Sequence, residues 1–459
     1  MADESCRSER RKLVAVAICA LSTFLVNIDN TAYQVAVPTI TKEFAAAAGV
    51  AGWILGSFTL ALAATELYMG WGGDRFGRRR LLGWGLGVYI LGSIITALSA
   101  SVEMLIVARV IAGLGAAALV PMGLAIIRML AATEDELQRF TSLWGIAVGV
   151  GMAMGPLIGG LFTQYITWRA LPASAVFVAG GFLLASQVLL PQSRERDLGV
   201  RCDWLGITSL TACTTLITVA ILLNASGLGT GSLVCMLAAI LIAIALVIRF
   251  KLRGLDPFPM PRQRGALFVP ALAVAAANYL GLGGGITIIS IGVLQQGAGI
   301  SAGETGLLLL PLALGYALGS RAATRVISRW SVGSAMVIAG AIGLLTVLFA
   351  GIVVSPSNLA IAIPIVGFFL GLSVGGANTP TNSLAMSQMP KTGSGMAGAF
   401  ASTARQVGQG LGIALAGVSI AIVTAHRFPA GLMWVPIALA FGLVSAIGLW
   451  VKARLGCGK

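Results

Sequence analysis

The stretch GWGGDRFGRRR at residues 70–80 stands between two long apolar runs, 49–70 and 81–100. Each run has the length, about 20 residues, that carries a helix across roughly 30 Å of hydrocarbon. Arg75, Arg78, Arg79 and Arg80 are costly to place inside that layer. The stretch therefore reads as a basic turn on one membrane face, joining two crossings. Lipid leaves no water to satisfy backbone polar groups, so continuous apolar runs of this length cross as helices. Working outward in both directions, the same alternation of apolar run and polar connection gives fourteen spans. They cover 13–37, 49–70, 81–100, 103–128, 141–163, 168–190, 204–224, 231–250, 266–294, 303–323, 332–354, 358–387, 395–424 and 430–451.

Composition agrees with this reading. Hydrophobic residues make up 57% of the 459-residue chain and charged residues 10%, against about 25% charged in a soluble domain. The 60 glycines suit closely packed membrane helices. A formal charge of +14 raises the question of nucleic acid, and its distribution answers it. Of the 30 Lys and Arg, only Arg109 and Arg405 lie well inside spans rather than in loops, tails or helix ends, and only Lys42, Arg169 and Arg427 fall on the predicted outer side. The rest lie on one face, which is the positive-inside bias of a membrane protein and needs no nucleic-acid partner. It places both termini in the cytoplasm and the chain in the cell (cytoplasmic or inner) membrane as a multi-pass protein. None of the six cysteines lies in a predicted outer loop, and no CxxC spacing occurs, so neither disulfides nor a metal site is indicated. The basic start with Arg7, Arg10, Arg11 and Lys12 resembles a signal peptide. The run that follows carries Asp29 mid-span, so it reads as a retained first helix.

The spans divide the chain. A cytoplasmic tail (1–12) precedes a six-helix bundle (13–190). A two-helix insert with flanking cytoplasmic loops (191–265) leads into a second six-helix bundle (266–451) and a short tail (452–459). A weak internal repeat supports the division. The connection after span ten reads TRVISRWS (324–331), with Ser328 in the place of Asp74 and Arg329 in that of Arg75. Paired halves around a central site are a common transporter architecture.

Four stretches together resemble the major facilitator superfamily, and within it the fourteen-helix drug:proton antiporter branch of the quaternary-ammonium or multidrug exporter type. The first is Gly70-x-x-x-Asp74-Arg75-x-Gly77-Arg78-Arg79, whose acid can accept hydrogen bonds from the arginines or from a helix N-terminus. The second is Gly151-x-x-x-Gly155-Pro156-x-x-Gly159-Gly160 in span five, a smooth stripe for close packing with a proline that bends the helix. The third is Ile28-Asp29-Asn30-Thr31 through Val37-Pro38, where Gln34 replaces the usual asparagine. The fourth is Arg109-x-x-x-Gly113-x-Gly115-Ala116-Ala117, where Ala112 replaces the common glutamine. Weaker matches are Leu294-Gln295 with Gly306 and Pro311, and Arg405-Gln406 with Gly408 and Gly412. The resemblance implies an all-α major facilitator fold of fourteen helices in a 6 + 2 + 6 arrangement. It implies that the Gly70–Arg79 cluster gates the cytoplasmic side and that the Gly151–Gly160 stripe is the mark of an antiporter. It also puts Arg405 and Gln295 beside the substrate.

Among the acids, only Asp29 and Glu66 lie well inside spans. An ionisable group there faces a cavity or a partner and is a functional candidate by default. Asp29 falls about 13 Å along a helix from Pro38, near mid-membrane, and is the candidate proton-coupling residue, with Arg109 as the fixed charge that tunes it. Its alternative role is a hydrogen-bonded packing anchor. Glu66 lies about 12 Å before Asp74 and is a candidate substrate-binding residue with Asp29. Its alternative is pairing with a cytoplasmic-side arginine. No phosphate-binding GxxxxGK[ST] or HExxH occurs, and the two GxSxG matches, at 299–303 and 371–375, fall beside or inside apolar spans rather than on a strand-to-helix turn, so neither ATP-driven pumping nor hydrolysis is indicated. The expectation is therefore not an enzyme but a cofactor-free antiporter that works as a monomer. It would use the proton gradient to export small amphipathic, cationic drugs or antibiotics by alternating access. The alternative is export of an endogenous metabolite, lipid or self-made antibiotic by the same mechanism. A non-transporting sensor or structural subunit is the reading from outside that class.

Overall fold

The computed structural model describes residues 2–46, 50–191, 204–225, 228–253, 267–355, 357–388, 394–424 and 450. The fourteenth predicted span, both tails beyond these limits and most of the loops flanking the predicted insert lie outside them. Every span predicted before the fourteenth is a helix. In chain order these are α1 (Ala2–Glu43), α2 (Val50–Phe76), α3 (Arg78–Ala97), α4 (Val102–Leu130), α5 (Glu134–Tyr165) and α6 (Ala170–Leu189). Then follow α7 (Trp204–Ala225), α8 (Gly229–Arg253), α9 (Phe268–Thr287, continuing as a π-helical segment Ile288–Gly297) and α10 (Ala302–Arg329). The last are α11 (Val332–Val353), α12 (Leu359–Ser387) and α13 (Ser394–Thr424). Twelve of the described helices are long and apolar enough to cross a membrane, so the chain is a multi-pass membrane protein.

Several helices run past the apolar limits read from sequence. The stretch 70–80 is not a loop: α2 continues through it to Phe76 and α3 begins at Arg78. The whole turn is Gly77, at φ 105°, a conformation that a residue with a Cβ rarely adopts. Polar side chains do not interrupt backbone hydrogen bonding, so a helix can leave the hydrocarbon intact and stop only where the backbone must reverse.

The first six helices pack as one group and the last five as another, with α1 against α5, α2 and α3 against α4, and α10 and α11 against α12. Between the groups, α2 packs along α13 and α5 along α10. The second helix of each group thus meets the fifth of the other, which is the pairing of two related halves. The predicted insert adds to one of these seams. α7 packs on both α2 and α13, with Leu222 seated on Gly52 and Gly56 at 3.1 Å from where a Cβ would stand. α8 packs on α7 and leaves Leu233, Val234, Leu237 and Leu241 exposed, a face suited to lipid.

Candidate functional site

Three consecutive residues of α1 address three different neighbours, because successive positions turn by about 100° around a helix. Asp29 turns to α4, where its Oδ2 accepts from Arg109 Nη1 at 2.5 Å. The guanidinium lies between two rings, 4.0 Å from the centre of Tyr33 and 4.3 Å from that of Phe58. A cation between ring faces is favoured most where water is excluded, and Arg109 is 1% exposed. Asn30 turns to both seam helices. Its Nδ2 donates to Gln409 Oε1 of α13 at 3.3 Å, and its Oδ1 accepts from Thr59 of α2 at 3.3 Å. Thr31 turns to α5 and presses its hydroxyl into the space left by Gly155.

The glycines of α5 serve two partners. Gly151, Gly155 and Gly159 lie against the backbone of α1 at Phe24, Ile28 and Ala32. Gly160 lies against Ala302 and Gly303 of α10, and Gly149 accommodates the Tyr316 ring. Pro156 belongs to the second set, since its carbonyl meets Gly306 of α10. The predicted small-residue stripe therefore splits into a face that holds its own half together and a face on the opposite half.

Glu66 of α2 is fully buried and meets α13, where Thr403 Oγ1 donates to its Oε2 at 3.4 Å. Arg405, half a turn further along α13, acts on it electrostatically. Arg405 donates to Asn382 Oδ1 of α12 and lies 5.8 Å from the Trp144 ring of α5 and 5.9 Å from that of Tyr279. A polar cluster continues from there. Asn382 donates to Asn378 at 3.2 Å, the Tyr279 hydroxyl donates to Asn378 at 3.4 Å, and it lies 3.3 Å from the Tyr316 hydroxyl. Asn378, Asn382, Tyr279 and Gln409 were not singled out in the sequence. Asn378 and Asn382 stand four apart inside a membrane span, which is the signal that marks them.

The remaining predicted residues stand apart from this centre. Gln295, in the π-helical end of α9, donates to Val35 O at 3.1 Å, about 9 Å along α1 from Asp29. Asp74 accepts from Arg78 Nε and Nη2 at 3.2 and 3.0 Å, and Arg78 also donates to Ala125 O of α4 at 3.3 Å. Arg79 donates to Leu190 O at 3.1 Å, and Arg75 stacks 5.3 Å from the Trp71 ring. Gly70 is buried in α2. Gly72 leaves room for a Cβ at 3.4 Å from Leu81. Among the described residues no group of His, Cys, Asp and Glu could hold a metal ion.

A protein-family model described as Major Facilitator Superfamily matches residues 19–413. The chain is 29% identical over 413 residues to the "Multidrug efflux pump LfrA" of Mycolicibacterium smegmatis, covering 90% of this chain and 81% of that protein. It is also 29% identical to the "Tetracenomycin C resistance and export protein" of Streptomyces glaucescens, over 91% of this chain and 77% of that one. The solved structure of the human organic anion transporter MFSD10 (TETRAN) superposes with a TM-score of 0.65 at 16% identity, covering 96% of this chain and 99% of that chain. That likeness speaks to the fold alone.

Proposed function

The chain belongs to the Major Facilitator Superfamily, and from that premise we propose that it is a proton-coupled antiporter exporting amphipathic, cationic drugs or antibiotics. It is a transport protein of the cell membrane and not an enzyme. The efflux and resistance names of its relatives support drugs as cargo. The observation that carries the coupling is the Asp29–Arg109 pair, buried among α1, α2 and α4 one residue from the bond between Asn30 and α13. Removing one partner from a buried pair leaves an uncompensated charge and costs roughly 3–5 kcal/mol. Protonation of Asp29 removes that partner reversibly.

In this reading the arginine-rich side is cytoplasmic and the two termini lie there. A proton reaching Asp29 from outside releases Arg109 and favours the state that lets substrate go. Loss of the proton toward the cytoplasm restores the pair and admits the next substrate. Glu66, with Arg405 beside it, receives the cationic part of the cargo at the α2–α13 seam, and Asp74, Arg75, Arg78 and Arg79 gate the cytoplasmic side. One chain supplies both halves and both seams, so a monomer suffices. If one net charge moves per cycle, a membrane potential contributes about 2.3 kcal/mol per 100 mV. The test is Asp29→Asn in proteoliposomes under an imposed pH gradient. Gradient-driven efflux is lost while substrate binding persists. Transport at the wild-type rate with unchanged dependence on the gradient would move the coupling site elsewhere.

A second reading is export of an endogenous or self-made compound by the same cycle; the Streptomyces relative is named for resistance to and export of a single compound, tetracenomycin C. An efflux panel in a pump-deficient host separates the two by which compounds lose toxicity.

A further inference from the structure

One face of α10 is exposed along its whole length. Leu307, Leu310, Leu314 and Leu318 occupy it at helical spacing, and Arg321, Arg325 and Arg329 continue the same line. The change from leucine to arginine is abrupt. Glu304, exposed at the other end of the helix, lies about 26 Å from Arg321 at 1.5 Å per residue, close to the thickness of a hydrocarbon core. The leucines therefore meet acyl chains, and the arginines emerge at the boundary where headgroups begin. Trp330, 71% exposed at the end of α10, is the residue type that anchors at this depth.

Within their own half the one acidic residue is Glu304, at the opposite end of the same helix. No Asp or Glu follows Glu304 anywhere in the sequence. In the related turn after α2, Asp74 neutralises Arg78 at 3.0 Å with both side chains buried. In the turn after α10 the equivalent position is Ser328, whose hydroxyl donates to Arg325 O at 2.9 Å and carries no charge. The second copy keeps one basic residue of the turn, Arg329, has lost the acid, and carries two further arginines, Arg321 and Arg325, on the exposed face. A counter-charge supplied from outside the chain must be anionic and must sit at the membrane boundary, above lipid tails that the leucines already contact.

We infer that Arg321, Arg325 and Arg329 form a binding site for the headgroup phosphate of an anionic phospholipid, whose acyl chains lie along the leucines of α10. Guanidinium groups bind phosphate through paired N–H donors. Three of them in line span about 12 Å of helix, enough for a headgroup with one phosphate or two. An arginine near an anionic lipid surface contributes roughly a fivefold preference, so three give on the order of a hundredfold.

The test uses the purified full-length transporter in neutral detergent, with phosphatidylglycerol and phosphatidylcholine offered together and retained lipid read by native mass spectrometry. Wild type keeps phosphatidylglycerol preferentially. The triple variant Arg321→Gln, Arg325→Gln, Arg329→Gln loses most of that preference. If the triple variant fails to fold, as judged by its melting curve, Arg325→Gln alone reads the same effect as a severalfold loss. Equal retention of both lipids by wild type overturns the inference, as does a preference that survives these substitutions. Displacement of the lipid by millimolar inorganic phosphate also overturns it, because the site would then take a free anion. Native adducts do not depend on transport, so this result stands or falls separately from the proton-coupling proposal.

Discussion

Gly160→Ala and Gly155→Ala add the same methyl group to the same helix five residues apart, yet the structure assigns them different consequences. At Gly160 a Cβ overlaps Ala302 O and lies 2.9 Å from Ala302 C and 3.1 Å from Gly303 Cα. All three are backbone atoms of α10, in the opposite half, and none can rotate away. Ordinary contact is about 3.5 Å, so α5 and α10 must part by on the order of 1 Å. Overpacking of this kind costs roughly 1–3 kcal/mol. In alternating access that cost falls only on the state in which these ends touch, so its population drops by about ten- to a hundredfold relative to the other. At Gly155 the added methyl meets Thr31 and lies 2.9 Å from Ile28 O, both in the same half. That cost is shared by every state and appears as lower stability. The assay is a single cysteine at Val35, fully buried beneath the Gln295 contact, in a cysteine-free background, labelled with an impermeant maleimide. Gly160→Ala speeds labelling and slows turnover with little change in melting temperature. Gly155→Ala lowers the melting temperature without faster labelling. Wild-type labelling and turnover in Gly160→Ala would refute the view that this contact opens during transport.

Asp74→Asn should slow transport by tenfold or more while expression holds, because it weakens the tie from α2 through Arg78 to Ala125 of α4. Turnover at the wild-type rate in vesicles would reduce the turn to a topology signal. Glu66→Gln should weaken efflux of cationic compounds much more than that of neutral ones, since only a cation gains from a carboxylate in a low-dielectric site. Equal losses across a matched substrate pair would point to a role in coupling or folding. At the arginine-rich end of α5, the Ala132 N–H at 2.8 Å and then the Lys12 ammonium at 3.2 Å hold the Glu136 carboxyl below its usual range. A depressed value contributes stability that is present above the unfolded pKa and lost as pH falls through the folded one. Melting temperatures of wild type and Glu136→Gln should therefore differ slightly at neutral pH and converge on acidification, and a gap that persists in acid would contradict this.

The spans were legible because hydrocarbon thickness imposes a length and an apolarity that few other constraints imitate. Their ends were not. α1 extends from Ala2 to Glu43, and α2 through the whole of 70–76, since charged residues leave the membrane without breaking a helix. Of the candidate residues, Asp29 and Arg109 were each found as a charge in the wrong solvent, but only packing showed them to be partners. The polar cluster of Tyr279, Tyr316, Asn378 and Asn382 was missed because neutral polar residues carry a weaker penalty in a span and draw less notice than a carboxylate. Gln295 was marked by its place in a family-like stretch; what the sequence did not show is that its amide ties the end of α9 to the backbone of α1.

In the proposed cycle, the arrangement around α1 gives proton binding at Asp29 a mechanical path to the seam. Asp29, Asn30 and Thr31 are fixed to one another by the helix, so none can turn without moving the other two. Asp29 is held through Arg109, whose guanidinium is clamped by Tyr33 of α1 and Phe58 of α2. Asn30 holds Thr59, one residue beyond Phe58, and Gln409 of the opposite half. Thr31 is lodged at Gly155, one residue before the proline whose carbonyl meets α10. In the proposed cycle, neutralising Asp29 frees the guanidinium from its carboxylate and lets the ring clamp relax. Any rotation of α1 that follows strains the Asn30–Gln409 bond at one seam and the Thr31–Gly155 contact behind the other. A site that answered only to the proton would need none of these links, and a packing anchor would need no charge. Their joining in three consecutive residues is what coupling at this position requires.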